Sequence, residues 1–177
     1  MNTNIQFTKI RDVKSPNRAN ANDAGIDFFI PNFTPDFLAD LQKKNENNEI
    51  SYVVNCETNT LEIVLAPHSQ VLIPSGIKVN ICDKNTYLDA NNKSGVATKY
   101  RLTVGAKVID ADYRGEVHIN LLNNSNEFIT INSGQKIVQF IHKEYIKSNL
   151  IEISNNEYDN LAQTDRGTGG FASTGEK

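Results

Sequence analysis

Cysteine is scarce in this chain: Cys56 and Cys82 are the only two, and they form no CxxC pair. A disulfide framework and a cysteine-ligated zinc site are both disfavoured, and reduced thiols are expected. Histidine is equally thin. His68, His118 and His142 stand far apart with no HxxxH or HExxH spacing, so a histidine-built metal centre is not expected. Long apolar runs are missing too. None approaches the roughly 20 residues of a membrane-spanning helix, and the Asn- and Thr-rich start carries no apolar signal segment. A soluble, cytoplasmic protein with no membrane partner is the expectation. A basic excess is also lacking. The chain has 18 Lys and Arg against 21 Asp and Glu, a net charge of −3 and a pI near 5.6. That balance speaks against a nucleic-acid-wrapping protein. It leaves room for a small anion held by a few clustered cations.

What is present is enough for one core. A chain of 177 residues, 38% hydrophobic and 22% charged, predicts one folded domain with many polar loops. Alternation at Ile5, Phe7 and Ile10 predicts a first strand in residues 4–14. Thr34 followed by Pro35 predicts a capped helix start, with Phe37, Leu38 and Leu41 at helical spacing behind it. Residues 50–54 and 61–65 predict a hairpin. From Pro67 onward the pattern is β throughout. Strands are expected at 69–73, 77–82 and 86–89, broken by Pro74, Gly76 and Asp83. More follow at 102–109, 116–122, 127–131 and 136–146. Many short strands with regular turn signals point to a sandwich, jelly roll or barrel.

One stretch is richer than a turn requires. Asp110-Ala111-Asp112-Tyr113-Arg114-Gly115 holds two acids, a phenol and a guanidinium between an apolar pair, Val108 and Ile109, and the alternating Val117, Ile119 and Leu121. Read alone, it is a charged hairpin. Four other segments change its meaning: Ala24-Gly25-Ile26-Asp27, Lys93-Ser94-Gly95-Val96-Ala97, Gly134-Gln135-Lys136-Ile137-Val138-Gln139, and the glycine-rich run 166–175. In this order the five segments resemble the five motifs of the trimeric dUTP pyrophosphatases, the dUTPases. The resemblance covers the chain except for about residues 31–60.

The resemblance implies an all-β jelly-roll or β-barrel protomer over residues 1–163, with a small helix and hairpin insertion at 31–60. It implies a flexible C-terminal arm, 164–177, that closes over the site. It also implies a homotrimer with shared active sites that splits dUTP into dUMP and pyrophosphate, with Mg²⁺ on the triphosphate. Asp110 matches the acid that activates the attacking water. Tyr113 matches the ring beneath the deoxyribose, which leaves no space for a 2′-hydroxyl. Ile109 falls in the uracil-binding strand, and Lys107 stands where glycine is usual. Ser94 and Gly95 match the phosphate-binding turn, with Lys93 in place of the usual arginine; lysine keeps the charge but loses the planar fork. Gln139 matches the glutamine near the α-phosphate, and Gln135 replaces the usual acid. In the arm, Arg166 matches the cation for the γ-phosphate and Phe171 the ring stacked on uracil. Ser173 and Thr174 match hydrogen-bond donors to phosphate, and Ala172 stands where glycine is usual. Asp27 matches an acid that supports the metal indirectly, through water; an all-protein metal cage is not expected. Asp112 and Arg114 are read as supports of the turn.

Two other functions fit parts of the pattern. A dCTP deaminase shares the fold, but Asp110 with Asp112-Tyr113-Arg114 matches the hydrolase. A nucleotide-sensing module is the second, with a protein partner docked on the apolar side of the 31–60 helix. That helix could equally dock on its own barrel.

Overall fold

The computed structural model describes residues 4–48 and 50–169. The elements in chain order are β1 (Ile5–Lys9), β2 (Gly25–Phe29), α1 (Pro35–Lys44), β3 (Ile50–Asn55), β4 (Thr60–Leu65), β5 (Gln70–Ile81) and β6 (Thr86–Asn92). They continue with α2 (Ser94–Tyr100), β7 (Leu102–Val104), β8 (Val108–Asp110), β9 (Glu116–Asn123), β10 (Ile129–Asn132), β11 (Lys136–Glu144) and α3 (Asn155–Asp159). The strands form three sheets, ordered β1-β5-β9-β7, β2-β11-β6-β8 and β10-β4-β3, with antiparallel pairing throughout. This is the expected all-β jelly roll. Residues Met1–Ile146 form one compact unit and Lys147–Lys177 a second. In the second, Ser154 caps α3 in a reciprocal box with Glu157. No helix among the described residues is long and apolar enough to cross a membrane.

The period-2 alternation seen in the sequence builds the core. Val117, Ile119 and Leu121 of β9 are buried beside Val71, Ile73, Ile77, Val79 and Ile81 of β5. From the second sheet come Phe28, Leu88, Val138 and Phe140, with the Phe28 and Phe140 ring centroids 4.5 Å apart.

Two strand boundaries differ from expectation. Residues 69–73 and 77–82 are not separate strands. β5 runs through Pro74 and Gly76, with a register shift against β9 between Pro74 and Lys78. Proline is tolerated at such a bulge because the ladder is already interrupted there. Side chains take over the lost bonds: Glu116 Oε1 accepts from Gly76 N–H at 2.7 Å, and Ser75 Oγ accepts from Ile77 N–H at 3.2 Å. Gly76 has φ +73°, which glycine adopts without strain. Nor is 102–109 one strand. β7 pairs with β9, whereas β8 pairs with β6 in the other sheet. The chain crosses at Gly105, where a Cβ would lie 2.0 Å from Asn120 Oδ1.

The insertion belongs to the barrel. Thr34 caps α1, its hydroxyl accepting from Phe37 N–H at 3.3 Å, and Pro35 opens the helix as expected. Phe37 and Leu41 are fully buried, and Leu38 packs on the core edge. Asn45, just past the helix, exchanges two hydrogen bonds with the Leu72 backbone of β5, at 2.8 and 2.9 Å. The expected hairpin is β3 and β4, and β4 continues the pairing to β10. The apolar side of the helix is therefore used on the protein's own core. Val53 and Val54 on β3 stay exposed.

Candidate active site

Two clusters lie on the same face of the β2-β11-β6-β8 sheet. Side chains of directly paired residues point to one face, and the face repeats every second residue. Asp27 pairs with Gln139, and Gln139 with Asn91. Four residues back along β6, Tyr87 pairs with Asp110 on one side and Lys143 on the other. Asp27, Gln139 and Asp110 thus share a face. Their rows are separated by about 13 Å along β6 at 3.3 Å per residue.

The first cluster is built around Asp27, only 3% exposed. Its Oδ1 lies 2.5 Å from Lys93 Nζ, and its Oδ2 lies 3.1 Å from Lys136 Nζ, an ion-pair contact rather than a full hydrogen bond. Burial pushes the carboxyl upward, but Lys93 and Lys136 outweigh it and hold it below its ordinary 3.8. Beside it, Gln139 donates Nε2 to the Asn92 carbonyl at 2.9 Å. Its Oε1 lies so close over Gly25 that a Cβ there would sit 2.0 Å away. Asn92 in turn accepts from Val104 N–H through Oδ1 at 2.7 Å. β6 then leads through Lys93 into α2. Lys93 is the N-cap but makes no side-chain cap bond, so the first N–H groups of Ser94, Gly95 and Val96 have no such partner. Ser94 and Gly95 are exposed, and a Cβ on Gly95 would meet nothing within 4 Å. What was expected as a turn at 93–97 is the start of a helix.

The second cluster is the Asp110–Gly115 turn. Asp110 is exposed on the edge strand β8, and its carboxylate has no hydrogen bond or ion pair among the described residues; only its backbone oxygen is used, by Tyr113 N–H at 3.1 Å. The neighbouring charges are spent on the turn. Arg114 donates Nη1 to the carbonyls of Ala111 at 2.8 Å and Tyr113 at 3.0 Å, and Asp112 pairs with Lys84 at 2.5 Å. The Tyr113 ring is half-exposed and lies over Gly115, with its hydroxyl donating to the Glu116 carbonyl at 2.8 Å. Ile109 sits opposite Leu88, and Ala90 N–H donates to Lys107 O at 2.8 Å. Antiparallel alternation then turns the backbone groups of Val108 away from β6 toward the free edge. Lys107 is exposed and helps hold Asp89 below its ordinary value; burial acts against this, and Lys143 and Asn91 contribute more.

Lys136 was not singled out from the sequence. Lys136 lies inside one of the quoted segments, but its partner Asp27 is far away in the chain. Gln135 closes its own turn, accepting from Asn132 N–H at 3.0 Å. In the second compact unit, Arg166 donates Nε to Gly169 O at 2.9 Å. Phe171, Ala172, Ser173 and Thr174 lie outside the described residues. No group of three or more His, Cys, Asp or Glu among the described residues could hold a metal ion. Both Asp27 oxygens already face ammonium groups.

An uncommitted carboxylate and a half-exposed ring lie at one end of the sheet face among the described residues, and a cationic helix start at the other. A family model for dUTPase matches residues 58–175. The deoxyuridine 5'-triphosphate nucleotidohydrolase of Candida albicans is 41% identical over 109 residues, which is 62% of this chain and 66% of that one, just under two thirds of its length. That of Clostridium tetani is 30% identical over 167 residues, 93% of this chain and 91% of that one. The Staphylococcus bacteriophage 80alpha dUTPase with dUPNHPP has the same fold, with a TM-score of 0.69, 20% identity, and coverage of 98% and 99%. The chain belongs to the dUTPase family.

Proposed function

We propose that this protein hydrolyses dUTP to dUMP and pyrophosphate in a homotrimer whose subunits share each site. The observation that carries the reading is the free Asp110 carboxylate beside the anchored Tyr113 ring. A carboxylate not consumed by its own turn can orient a water opposite the leaving pyrophosphate and take its proton. General-base help of this kind is worth roughly 10²–10⁴-fold in rate. The Tyr113 ring forms the floor beneath the deoxyribose, and a 2′-hydroxyl would collide with it. The outward backbone groups of Val108, next to Ile109, supply a donor and an acceptor to the uracil edge. Cytosine presents the reversed donor at its 4-position and is rejected, because an unpaired polar edge costs more than a missing methylene.

The phosphates go to the other cluster. Ser94, the N–H of Gly95 and the α2 terminus receive the α- and β-phosphates. Gln139 stands near the α-phosphate, and the Asp27–Lys93–Lys136 group adds positive charge. By the family resemblance, Arg166 serves the γ-phosphate, Phe171 the uracil ring, and Ser173 and Thr174 the γ-phosphate oxygens. Mg²⁺, when bound, neutralises charge on the triphosphate oxygens, with Asp27 acting on it through water. The separation of the two clusters within one chain supports a site assembled from several subunits.

The test is pyrophosphate release from each dNTP and from UTP, with Mg²⁺, by wild type and Asp110→Asn. The expected result is dUTP-selective turnover that falls by about 10²–10⁴-fold in the variant. Equal turnover of all nucleotides, ammonia release from dCTP, or full activity of Asp110→Asn would overturn the reading.

A further inference from the structure

A chain of ion pairs ties the insertion helix to Tyr113. The Tyr113 hydroxyl ends on the Glu116 carbonyl, which also contacts His118 Nδ1 at 2.8 Å. Glu116 is the first residue of β9, the point where the turn enters the sheet. Its carboxylate is held on three sides. Arg11 donates Nε to Oε1 at 2.7 Å and Nη2 to Oε2 at 2.9 Å, the two-pronged geometry of a guanidinium–carboxylate pair. Gly76 N–H adds a third bond at 2.7 Å. The same Nη2 also donates to Asp40 of α1, at 2.5 Å, and the guanidinium carbon lies 6.0 Å from the centre of the Phe37 ring. The Glu116 and Arg11 side chains are 10% and 19% exposed, so solvent does little to loosen the pair.

Asp40 and Phe37 both belong to the insertion, which lies outside the five motif segments. We propose that Arg11 and Asp40 are positioning residues for sugar selection. The path α1–Arg11–Glu116 fixes the Tyr113 ring, and through it the insertion sets how strongly ribonucleotides are refused. This rests on the reading of Tyr113 as the floor beneath the deoxyribose. The physical reason is rigidity. Steric exclusion of a hydroxyl works only if the ring cannot sink, and a ring on an exposed turn is only as fixed as the groups behind it. Here Glu116 stands behind it, and Glu116 is held by a cation that also binds the insertion.

The measurement is the ratio of kcat/KM for dUTP to that for UTP. Asp40→Asn keeps the shape of α1 but weakens its hold on Arg11. Arg11→Lys keeps the charge but loses the fork. In each variant the ratio should fall by roughly tenfold, within the coupling range of contacting residues. Most of the change should come from better use of UTP, with kcat for dUTP near wild type. Asp36→Asn, on the exposed first turn of the same helix and with no hydrogen bond or ion pair to Arg11, should leave the ratio unchanged. If Arg11→Lys does not fold, Asp40→Asn at the more exposed end carries the test. A folded Asp40→Asn with the wild-type ratio overturns the proposal, as does an equal fall in Asp36→Asn. A wild type that does not prefer dUTP over UTP at all overturns the reading of Tyr113 itself, and the relay with it.

Discussion

The Asp27 carboxylate touches two ammonium groups, Lys93 at 2.5 Å and Lys136 at 3.1 Å, in a setting where the acid is almost fully buried. One negative charge between two positive ones leaves a local excess of +1 beside the start of α2. That excess suits a phosphate chain. The pairing also makes Lys93 structural, because its loss leaves the buried carboxylate only the longer contact to Lys136. Lys93→Met should destabilise the fold by about 3 kcal/mol, the low end of the cost of breaking a buried pair, because Lys136 remains. Lys93→Arg should recover most of that loss. Urea unfolding of the three proteins measures it, and a Lys93→Met stability equal to wild type would show that Lys136 alone suffices.

Acid should weaken the protein in two stages. His118 is pushed below its ordinary 6.5 by burial and then by Lys44, against the opposing pull of Glu116 and Asp40. Its Nε2 is buried without a partner, so the charged ring would carry a donor with nothing to receive it. The unfolded chain therefore takes up this proton more readily than the folded one, and stability falls as the pH drops below about 6.5. Asp27, Asp89 and Glu116 form the second stage. Each is penalised by burial but held low by its cation, Lys93, Lys143 and Arg11 respectively. Their contribution is complete above their ordinary values of 3.8, 3.8 and 4.5 and is lost as the pH falls through the lower folded values. His118→Asn should flatten the curve of unfolding free energy just below pH 6.5 and leave the lower limb intact. An unchanged upper limb would rule His118 out as its source.

Gly25 is required by what lies on it. A Cβ there would overlap Gln139 Oε1 at 2.0 Å, so Gly25→Ala must swing the glutamine off its bond to Asn92. The obstacle is the far end of a flexible side chain, so the fold should survive. Activity should not, because a displacement of about 1 Å near the reacting groups can cost about 10²-fold in rate. A melting temperature near wild type with turnover reduced about that much is the expected pair of results. Wild-type turnover would show that Gln139 has no role in the chemistry.

What could be read in the sequence was local. Thr34 and Pro35 announced a helix start because cap and first residue are adjacent, and the alternation of β9 exposed its buried face directly. Pro74 and Gly76 misled because they mark a bulge as readily as a break, and only the partner strand decides which. Asp110 is ordinary when read alone, and its freedom shows only once Asp112 and Arg114 are seen paired elsewhere. The Asp27–Lys93 contact spans 66 residues and the Arg11–Glu116 contact 105, and nothing in either neighbourhood names its partner. The inward turn of the insertion was equally hidden, since Phe37, Leu38 and Leu41 would look the same beneath a foreign protein.

That inward turn makes the insertion part of the stability of the whole protein. Asn45 sits 4% exposed and satisfies both the N–H and the carbonyl of Leu72 near the start of the core strand β5, while also donating to Leu41 O at 2.7 Å. Replacing it with alanine leaves two partly buried backbone groups unpaired, at up to about 1–3 kcal/mol for each such group. Leu41 is wholly buried, and Leu41→Ala removes its transfer free energy and opens a cavity, together about 2–5 kcal/mol. Each variant should unfold at clearly lower urea concentration than wild type. Deletion of residues 33–60 should give a chain that does not fold, because it strips Phe37 and Leu41 from the core and removes β3 from its place beside β4. Circular dichroism and urea titration check all three. A deleted chain that folds and turns over dUTP normally would mean that the barrel closes without the insertion, and would remove the basis for any influence of α1 on Tyr113.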